Sequence, residues 1–339
     1  MPKLDFDIIT LGHGSGGTLT GQLLDTGVFK LLGNELLDKK HDGAIFHLNG
    51  KVAMSTDTYV VSPIFFAGGN IGDLAINGTV NDLAMCGAAA KYLSLGFVLE
   101  EGLKMEEFWD ILVTIKSACE LAGVQIITGD TKVVEKGKGD KIFINTTGIG
   151  EVHARAAIDI ENVKSGDKII LSGPLARHGI TIMSQREGLE FETSITSDTR
   201  PLNTIVQELL ETFGEDIHLL RDPTRGGVAT VLNEIAKDAK LGIDISQKNI
   251  KVEEEVNGAC EMLGLDPLYV ANEGLFVAVV ATDIADALLN QLQQWDHGAM
   301  ASIIGEVVNE HPGKVIMKSN VGGRRVINML TGEQLPRIC

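Results

Sequence analysis

Residues 55–88, STDTYVVSPIFFAGGNIGDLAINGTVNDLAMCGA, combine two kinds of periodicity in one stretch of the chain. The run that leads to Asp57 has the pattern of a strand, whereas residues 71–85 place apolar side chains along one helical face. Asp57 is therefore expected at a strand end, with Asp73 and Asp82 on the helix that follows. The neighbouring glycines allow a ligand to approach the backbone closely, and a helix N-terminus offers N–H donors to phosphate.

A turn dipeptide precedes this stretch. The strand-like runs at residues 44–48 and 51–55 are separated by Asn49-Gly50, which is typical of a β-hairpin. We therefore expect these two runs to pair with each other.

Strand and helix patterns alternate through the rest of the chain. Residues 105–122 predict an amphipathic helix that ends at Gly123, with strands expected around it at 91–99, 124–128 and 142–149. A second series of strands and helices begins near Ile158. Length and alternation together predict an α/β (α+β) fold of two domains followed by a flexible tail. We place the parts at residues 1–155, 156–328 and 329–339.

Composition narrows the possible functions. The 339-residue chain is 44% hydrophobic and has a formal net charge of −17, which argues against binding nucleic acid or an anionic membrane. Nucleotides remain possible, because backbone N–H groups and metal ions also hold phosphate. We see no leader signature, no apolar run of about 18 residues and no CxxC pair, so we expect a cytoplasmic protein without a zinc site.

Aspartates in turn-like or glycine-marked contexts carry the main chemical signal. Carboxylates beside glycines suit Mg²⁺, which is commonly held by one or two carboxylates together with substrate phosphates. Each could instead be a turn or helix N-cap residue. The chain has no Walker A motif, and HGSGG at 13–17 is not a GxGxxG fingerprint. The five aspartates are Asp57, Asp73, Asp82, Asp130 and Asp222.

The order and spacing of several motifs resemble those of the AIR-synthase-like ATP-binding superfamily. The resemblance extends from about residue 8 to residue 339, and the terminal PRIC resembles the carbamoyl dehydratases of [NiFe]-hydrogenase maturation. It implies an N-terminal domain that contributes a dimer interface and much of an ATP site, with a C-terminal domain packed on it. The motifs are HGSGG, residues 55–88, GDTKVV, GPLARHGI, REGLEFE, LRDPTRGGVATVLNEIA and ANEGLFVAV.

The resemblance implies ATP and Mg²⁺ as cofactors and assigns residues to each. Metal candidates are Asp57, Asp82 and Asp130, followed by Asp73 and Asp222. Nucleotide candidates are His13, Ser15, Gly16, Gly17, Asp57, Asn81, Asp82, Asp130, Thr131 and Asn145.

The resemblance also gives Cys339 a role as the carrier of a carbamoyl group, which ATP converts to thiocyanate by removing its oxygen as phosphate. Such a reaction needs positioning, charge neutralisation and a general base. Glu273 is our first candidate for the base, with Lys132 and His178 as further ones. A nine-residue arm spans about 30 Å when extended, and Pro336 and Arg337 would shape and steer it.

The remaining cysteines, Cys86, Cys119 and Cys260, fall on apolar helical faces and are expected to be buried. They receive no catalytic role.

The implied partners are a maturation carbamoyltransferase as donor, an iron-carrying maturation scaffold as cyanide acceptor, and a second copy of the chain. Two alternatives remain open. A selenophosphate synthetase would carry its reactive Cys in the glycine-rich loop, which has none here. A non-catalytic scaffold would only present its tail to partners.

Overall fold

The computed structural model describes residues 6–40, 43–188, 195–330 and 337–339. Within these ranges no helix is long and apolar enough to cross a membrane. Two units of mixed helix and strand pack against each other, as expected for an α/β chain. The predicted boundary at residues 155–156 falls between the last strand of the first sheet and the first strand of the second, and it stays a prediction.

The N-terminal domain is built on a four-stranded sheet. The strand order is β1-β6-β4-β5, in which only β4 and β5 run parallel. Short 3-10 and π turns connect several elements. The strands and helices are β1 (Val52–Tyr59), β2 (Phe65–Phe66), β3 (Gly69–Asn70), β4 (Ala88–Glu100), β5 (Gln125–Val134), β6 (Ile142–Val152), α1 (Thr18–Leu23), α2 (Phe29–Leu32), α3 (Ile71–Met85) and α4 (Met105–Ala122).

The C-terminal domain is built on a seven-stranded sheet. The order β13-β12-β9-β11-β7-β10-β8 is antiparallel except between β12 and β9. Helices cover parts of both faces. The elements are β7 (Lys168–Leu171), β8 (Ile217–Arg221), β9 (Gly242–Ser246), β10 (Val277–Val280), β11 (Ser302–Val308), β12 (Val315–Lys318), β13 (Arg324–Ile327), α5 (Arg177–Arg186), α6 (Asn203–Phe213), α7 (Gly227–Ala239), α8 (Glu254–Leu263) and α9 (Ala285–Gln294).

Helix α3 links the two domains. Asn70 caps its start by accepting a hydrogen bond from the Gly72 N–H at 2.7 Å. Most of the helix is buried, and its C-terminal Ala84 and Met85 belong to a core cluster of the C-terminal domain. The predicted helix at residues 71–85 is confirmed, as is the helix that ends before Gly123, which adopts a left-handed conformation with φ 69°.

The predicted hairpin is wrong. Residues 44–48 form no strand, and β1 pairs instead with β6, with Val52 opposite Glu151. The Asn49 N–H donates to the Glu151 carboxylate at 3.0 Å. Long-range pairing with β6 therefore overrides the local turn signal, because it supplies a full ladder of backbone partners.

Asp57, expected at a strand end, and Asp130, which comes after the strand predicted at residues 124–128, both lie inside strands. Asp57 is followed by two further residues of β1, and Asp130 is central in β5. The β5 strand continues to Val134, because β4 offers it backbone partners as far as Glu100.

The prediction that Cys86, Cys119 and Cys260 are buried is confirmed for two of the three. Cys119 and Cys260 are buried, whereas Cys86 is exposed. Cys86 is the residue that caps α3 at its C-terminus, beyond the buried helical face.

Substituting Gly78 with alanine should destabilise the protein. A Cβ at Gly78 would lie 2.2 Å from the Tyr59 hydroxyl oxygen, and Tyr59 is only 1% exposed. Overpacking of this kind costs about 1–3 kcal/mol. Thermal denaturation checks the change against Gly258→Ala, since a Cβ on the helical Gly258 meets no atom within 4 Å. Equal stability of the two variants would contradict the packing argument.

Candidate active site

The last residues of the sequence lie in a cleft between the domains. Ile338 is 2% exposed and Cys339 is 9% exposed. The Cys339 carbonyl accepts a hydrogen bond from the Val60 N–H at 3.1 Å. The predicted tail at residues 329–339 is therefore buried at its last two residues. Residues 331–336 of the expected arm lie outside the described residues, and the flexibility of the arm stays a prediction.

His178 holds the tail rather than standing free as a base. Its ring is fully buried, with Nε2 2.8 Å from the Ile338 carbonyl oxygen and Nδ1 2.8 Å from the Ser197 hydroxyl. Burial lowers the pKa of His178, which favours the neutral ring. Because a carbonyl can only accept, Nε2 carries the proton and Nδ1 accepts from Ser197.

The Cys339 thiol lies in an environment that disfavours its anion. Burial, together with the nearby carboxylates of Glu273 and Asp57, raises the pKa of Cys339 to about 12. Arg225 acts in the opposite direction through its charge and a hydrogen bond. The resting thiol is therefore protonated and weakly nucleophilic.

Glu273 is the most strongly perturbed acid beside the thiol. It is 4% exposed, and its Oε1 has no hydrogen-bond partner among the described residues. A buried oxygen without a hydrogen-bond partner lowers the stability of the fold. Such a group is therefore a candidate for a functional role. Burial first raises the pKa of Glu273 well above 4.5, and further contributions come from Asp222, Asp198, Asp57 and Asp82.

The loop that carries Glu273 is fixed through its backbone. The Asp198 carboxylate accepts hydrogen bonds from the Glu273 N–H at 3.2 Å and from the Gly274 N–H at 3.0 Å. Asn81 on α3 donates to the Glu273 carbonyl at 3.4 Å and accepts from the Leu202 N–H at 2.8 Å. Asn81 therefore links the N-terminal domain to the backbone of the C-terminal domain at Glu273 and Leu202.

Three of the predicted aspartates lie around this cleft. Asp82 accepts a hydrogen bond from the Ser55 hydroxyl at 2.5 Å. Burial raises the pKa of Asp82, and the like charge of Asp57 adds to the effect. Burial also raises the pKa of Asp222 to about 7, with Asp82 as the next cause. The carboxylates repel one another, so a cation between them would be stabilised.

The donor set fits Mg²⁺ held together with a nucleotide. No group of three or more metal-ligating side chains was found among the described residues. Mg²⁺ commonly takes only one or two carboxylates and completes its shell with phosphates and water. One or two of the mutually repelling carboxylates of Asp57, Asp82 and Asp222 would meet that requirement.

Asp73 has a different role. Its carboxylate accepts hydrogen bonds from the Asn70 N–H at 2.8 Å and the Leu74 N–H at 3.0 Å. Burial raises the pKa of Asp73 to about 6. These contacts make Asp73 part of the α3 capping box, which was the alternative interpretation of its position.

A separate cavity of about 230 Å³ lies between β5 and the helical segment 18–32. Its apolar lining includes Leu24, Val28, Phe29, Leu95 and Phe97. Its polar lining includes four predicted site residues, Gly16, Asp130, Thr131 and Lys132. An apolar slot with a few polar groups at its rim is typical of a small-molecule site.

Lys132 belongs to this cavity. Its Nζ lies 2.7 Å from the Asp130 carboxylate, and this contact is the main cause that lowers the pKa of Asp130. The charges that act on Cys339 come from Glu273, Arg225 and Asp57. Lys132 is thus better placed to meet a ligand in the cavity than to act on the thiol.

The predicted residues are divided between the two faces of the first sheet. Side chains alternate along a strand, and Asp57, opposite the buried Thr146, points toward α3. Asn145 and Asp130 both pair with Gly96, so they share the other face. The remaining candidates are dispersed: Ser15 and Gly17 are exposed, whereas His13 is buried and bonds the Thr10 N–H at 3.0 Å.

Sequence reasoning missed Arg225 and Asp198. Arg225 stands in the RDPTRGG motif that contributed to the resemblance, so a signal for it was present. Asp198 acts by bonding backbone N–H groups far along the chain. Only the folded structure reveals such a contact.

Family models match both halves of the chain. The AIR synthase related protein N-terminal domain matches residues 40–152, and the corresponding C-terminal domain matches residues 164–318. The fold and the interdomain cleft are thus those of an AIR synthase-related protein.

Individual relatives narrow this class. The chain is 47% identical to "Carbamoyl dehydratase HypE" of Azotobacter vinelandii over 100% of both chains. It matches a crystal structure of HypE in complex with ATP at TM-score 0.94 and 46% identity, covering 97% of this chain and 99% of that one. It matches a HypE–HypF complex at TM-score 0.80 and 42% identity, covering 93% and 100%. The chain belongs to the HypE family of carbamoyl dehydratases.

Asp222→Asn should flatten the decline of stability between about pH 4 and pH 7. The pKa of Asp222 is raised from 3.8 to about 7 in the folded state, so the unfolded chain ionises first as pH rises and the native state loses stability. An amide does not ionise, and the fall in the free energy of unfolding should shrink by about 1 kcal/mol or more. Urea denaturation at both pH values measures it. Asp110→Asn, at an exposed position on α4, is the control. If the free energy of unfolding of Asp222→Asn falls between the two pH values as much as that of the control, the raised pKa of Asp222 is contradicted.

Proposed function

We propose that this chain is an ATP-dependent dehydratase that converts an S-carbamoyl group on its own Cys339 to an S-cyano group. The product would supply the cyanide ligand for the iron of [NiFe] hydrogenase. One observation carries the proposal: the Cys339 thiol is buried in the cleft within electrostatic reach of Glu273, whose Oε1 has no hydrogen-bond partner among the described residues. Membership of the HypE family supports the reaction class.

The proposed reaction has two steps. In the first, the carbamoyl oxygen attacks the γ-phosphorus of ATP, ADP departs, and the nitrogen loses one proton. In the second, the original carbamoyl C–O bond breaks, the phosphorylated oxygen leaves as phosphate, and loss of the second N–H proton completes the C≡N bond. The net change is loss of one water from the carbamoyl group, with ATP converted to ADP and phosphate. The buried cleft excludes bulk water that would hydrolyse the intermediate.

Glu273 is the proposed proton acceptor. The like charges and burial that raise its pKa make its ionised form a stronger base than an ordinary carboxylate. Its ionised form becomes accessible when positive charge enters the cleft, and Arg225 already supplies some there. Mg²⁺ held by one or two of the carboxylates of Asp57, Asp82 and Asp222 would supply more and would neutralise the nucleotide phosphates.

The cavity lined by Phe29, Phe97 and Lys132 is the proposed ATP site. Its apolar walls suit a nucleobase, and Lys132 and backbone N–H groups at its rim suit phosphate. A HypE 46% identical to this chain has been crystallised with ATP, which supports ATP as the cofactor.

The partners follow from the same chemistry. A HypF-like carbamoyltransferase is the proposed donor, in keeping with the HypE–HypF complex that this chain resembles. An iron-carrying scaffold of the HypC–HypD type is the expected acceptor, and a cytoplasmic location stays a prediction. A homodimer is also expected, because Val52, Met54 and Val98 expose 45%, 67% and 39% of their surface on the outer face of the first sheet.

The two alternatives are less well supported. The described glycine-rich loop holds no cysteine for a selenophosphate synthetase reaction. A scaffold without catalysis would not need a buried carboxyl of strongly raised pKa in the same cleft as its thiol.

Glu273→Gln should abolish dehydration while leaving carbamoyl transfer to Cys339 intact. The amide keeps the shape of the side chain but cannot accept the N–H proton, so the rate should fall about 10²- to 10⁴-fold. Intact-mass spectrometry of the carbamoylated protein with Mg²⁺-ATP would follow the loss of one water. Glu255→Gln, on the exposed start of α8, is the matched control. Dehydration at the rate of this control would remove Glu273 from the mechanism.

Lys132→Gln should weaken ATP binding about tenfold. The substitution removes the cation at the cavity rim and leaves the Asp130 carboxylate without its 2.7 Å partner. Isothermal titration calorimetry measures the Kd. Lys91→Gln breaks a comparable pair with Glu151 in the same sheet and should bind ATP normally. Equal affinities would place the nucleotide elsewhere.

A further inference from the structure

Arg337 is bound through its main chain where the tail enters the cleft. Its carbonyl oxygen accepts a hydrogen bond from the Ser62 N–H at 3.3 Å and another from the Arg186 guanidinium. Ser62 belongs to the N-terminal domain, and Arg186 is the last residue of α5 in the C-terminal domain. The tail therefore bridges both domains at this residue.

The Arg337 side chain adds contacts to the N-terminal domain. Its Nε donates to the Val60 carbonyl at 2.9 Å, and its Nη1 pairs with the Asp140 carboxylate at 2.6 Å. The guanidinium carbon lies 5.9 Å from the centre of the Phe143 ring. Val60 also donates its N–H to the Cys339 carbonyl, so one residue of the domain binds both Arg337 and the residue that carries the thiol.

The backbone of Arg337 needs these contacts. Its φ is +51°, in the left-handed region that L residues rarely adopt. After the turn made there, Ile338 and Cys339 both belong to a hydrophobic core cluster. Removing the side chain would leave this conformation with only the main-chain contacts to Ser62 and Arg186, because the bonds to Val60 and Asp140 would be lost.

We propose that Arg337 is a positioning residue that holds the Cys339 thiol in the interdomain cleft, and that its ion pair with Asp140 sets how long the thiol stays there. The effect of this positioning on catalysis rests on the proposed function. A buried thiol cannot meet a donor or acceptor protein, so the docked tail has to leave and return during each cycle.

The exposure of the ion pair fits that requirement. The side chains of Arg337 and Asp140 are 40% and 46% exposed. Exposed pairs contribute little and are screened by salt, so this contact biases docking without making it permanent. The pair is therefore suited to a tail that is released in every turnover.

Alkylation of Cys339 in the full-length protein tests the proposal. N-ethylmaleimide reacts only with the undocked thiol, and peptide mass spectrometry would give its rate relative to the exposed Cys86. Asp140→Asn should raise the relative rate about two- to fivefold, and Arg337→Ala about tenfold or more because it also loses the Val60 bond. Arg337→Lys keeps the charge and should fall between wild type and Arg337→Ala.

Two controls separate positioning from a general loss of structure. Asp25→Asn removes another exposed pair, with Lys40, and should leave the relative rate unchanged. Exchanging the charges with Asp140→Arg and Arg337→Asp together should restore part of the protection lost in either single variant. Added salt should raise the rate in wild type more than in Asp140→Asn.

The outcomes are distinct from those of the proposed function, because alkylation needs neither ATP nor a carbamoyl donor. A relative rate within twofold of wild type in Arg337→Ala would overturn the positioning role even if dehydration proceeds. If Arg337→Ala does not fold, an unchanged rate in Asp140→Asn, whose side chain is isosteric, overturns the role of the ion pair. Faster alkylation in both variants supports the proposal even if no dehydration is found.

Discussion

The cleft between the two domains gathers carboxyl groups around one buried thiol, and their shared desolvation is the constraint on which the rest of the site depends. Burial disfavours the anions of both Cys339 and Glu273, and every neighbouring carboxylate adds to that effect. In water these groups would be an ordinary thiol and an ordinary acid. Because burial and like charges disfavour both anions in the cleft, any positive charge that enters it would favour ionisation of these groups.

Helix α3 makes this arrangement possible. It presents Asp82 to the cleft, ties Asn81 to backbone groups of the C-terminal domain, and packs Gly78 against the Tyr59 ring. Its last residues join the core of the second domain. A single buried helix thus sets the distance between the two halves of the site, which explains why its polar residues are bonded to other elements rather than exposed.

Much of this was predictable from the sequence. The spacing of apolar residues located α3 and α4 because both helices bury one periodic face or more, and the motifs around Asp57, Asp82 and Asp222 pointed to a common site. The hairpin at Asn49-Gly50 failed because β6, about a hundred residues away, competes for the same strand. Local patterns do not contain that information.

The buried position of Cys339 could not be predicted from the sequence. A residue near a chain end has no periodic context, and distant segments hold it: Val60 and Arg225 contact Cys339, and His178 contacts the preceding Ile338. The division of Asp57 and Asn145 between opposite faces of one sheet likewise needed the strand register. The described residues place a perturbed acid beside the thiol, which the motifs alone could only suggest.

The most direct test of this account is to find where a cyano group forms. The protein would be carbamoylated with an isotope-labelled carbamoyl donor, incubated with Mg²⁺-ATP, and mapped by tandem mass spectrometry. The account predicts that the label appears as a thiocyanate on Cys339 alone, with one carbon and one nitrogen retained and the carbonyl oxygen recovered in phosphate. Thiocyanate on Cys86, or a carbamoyl group that persists on Cys339 with ATP present, would contradict it.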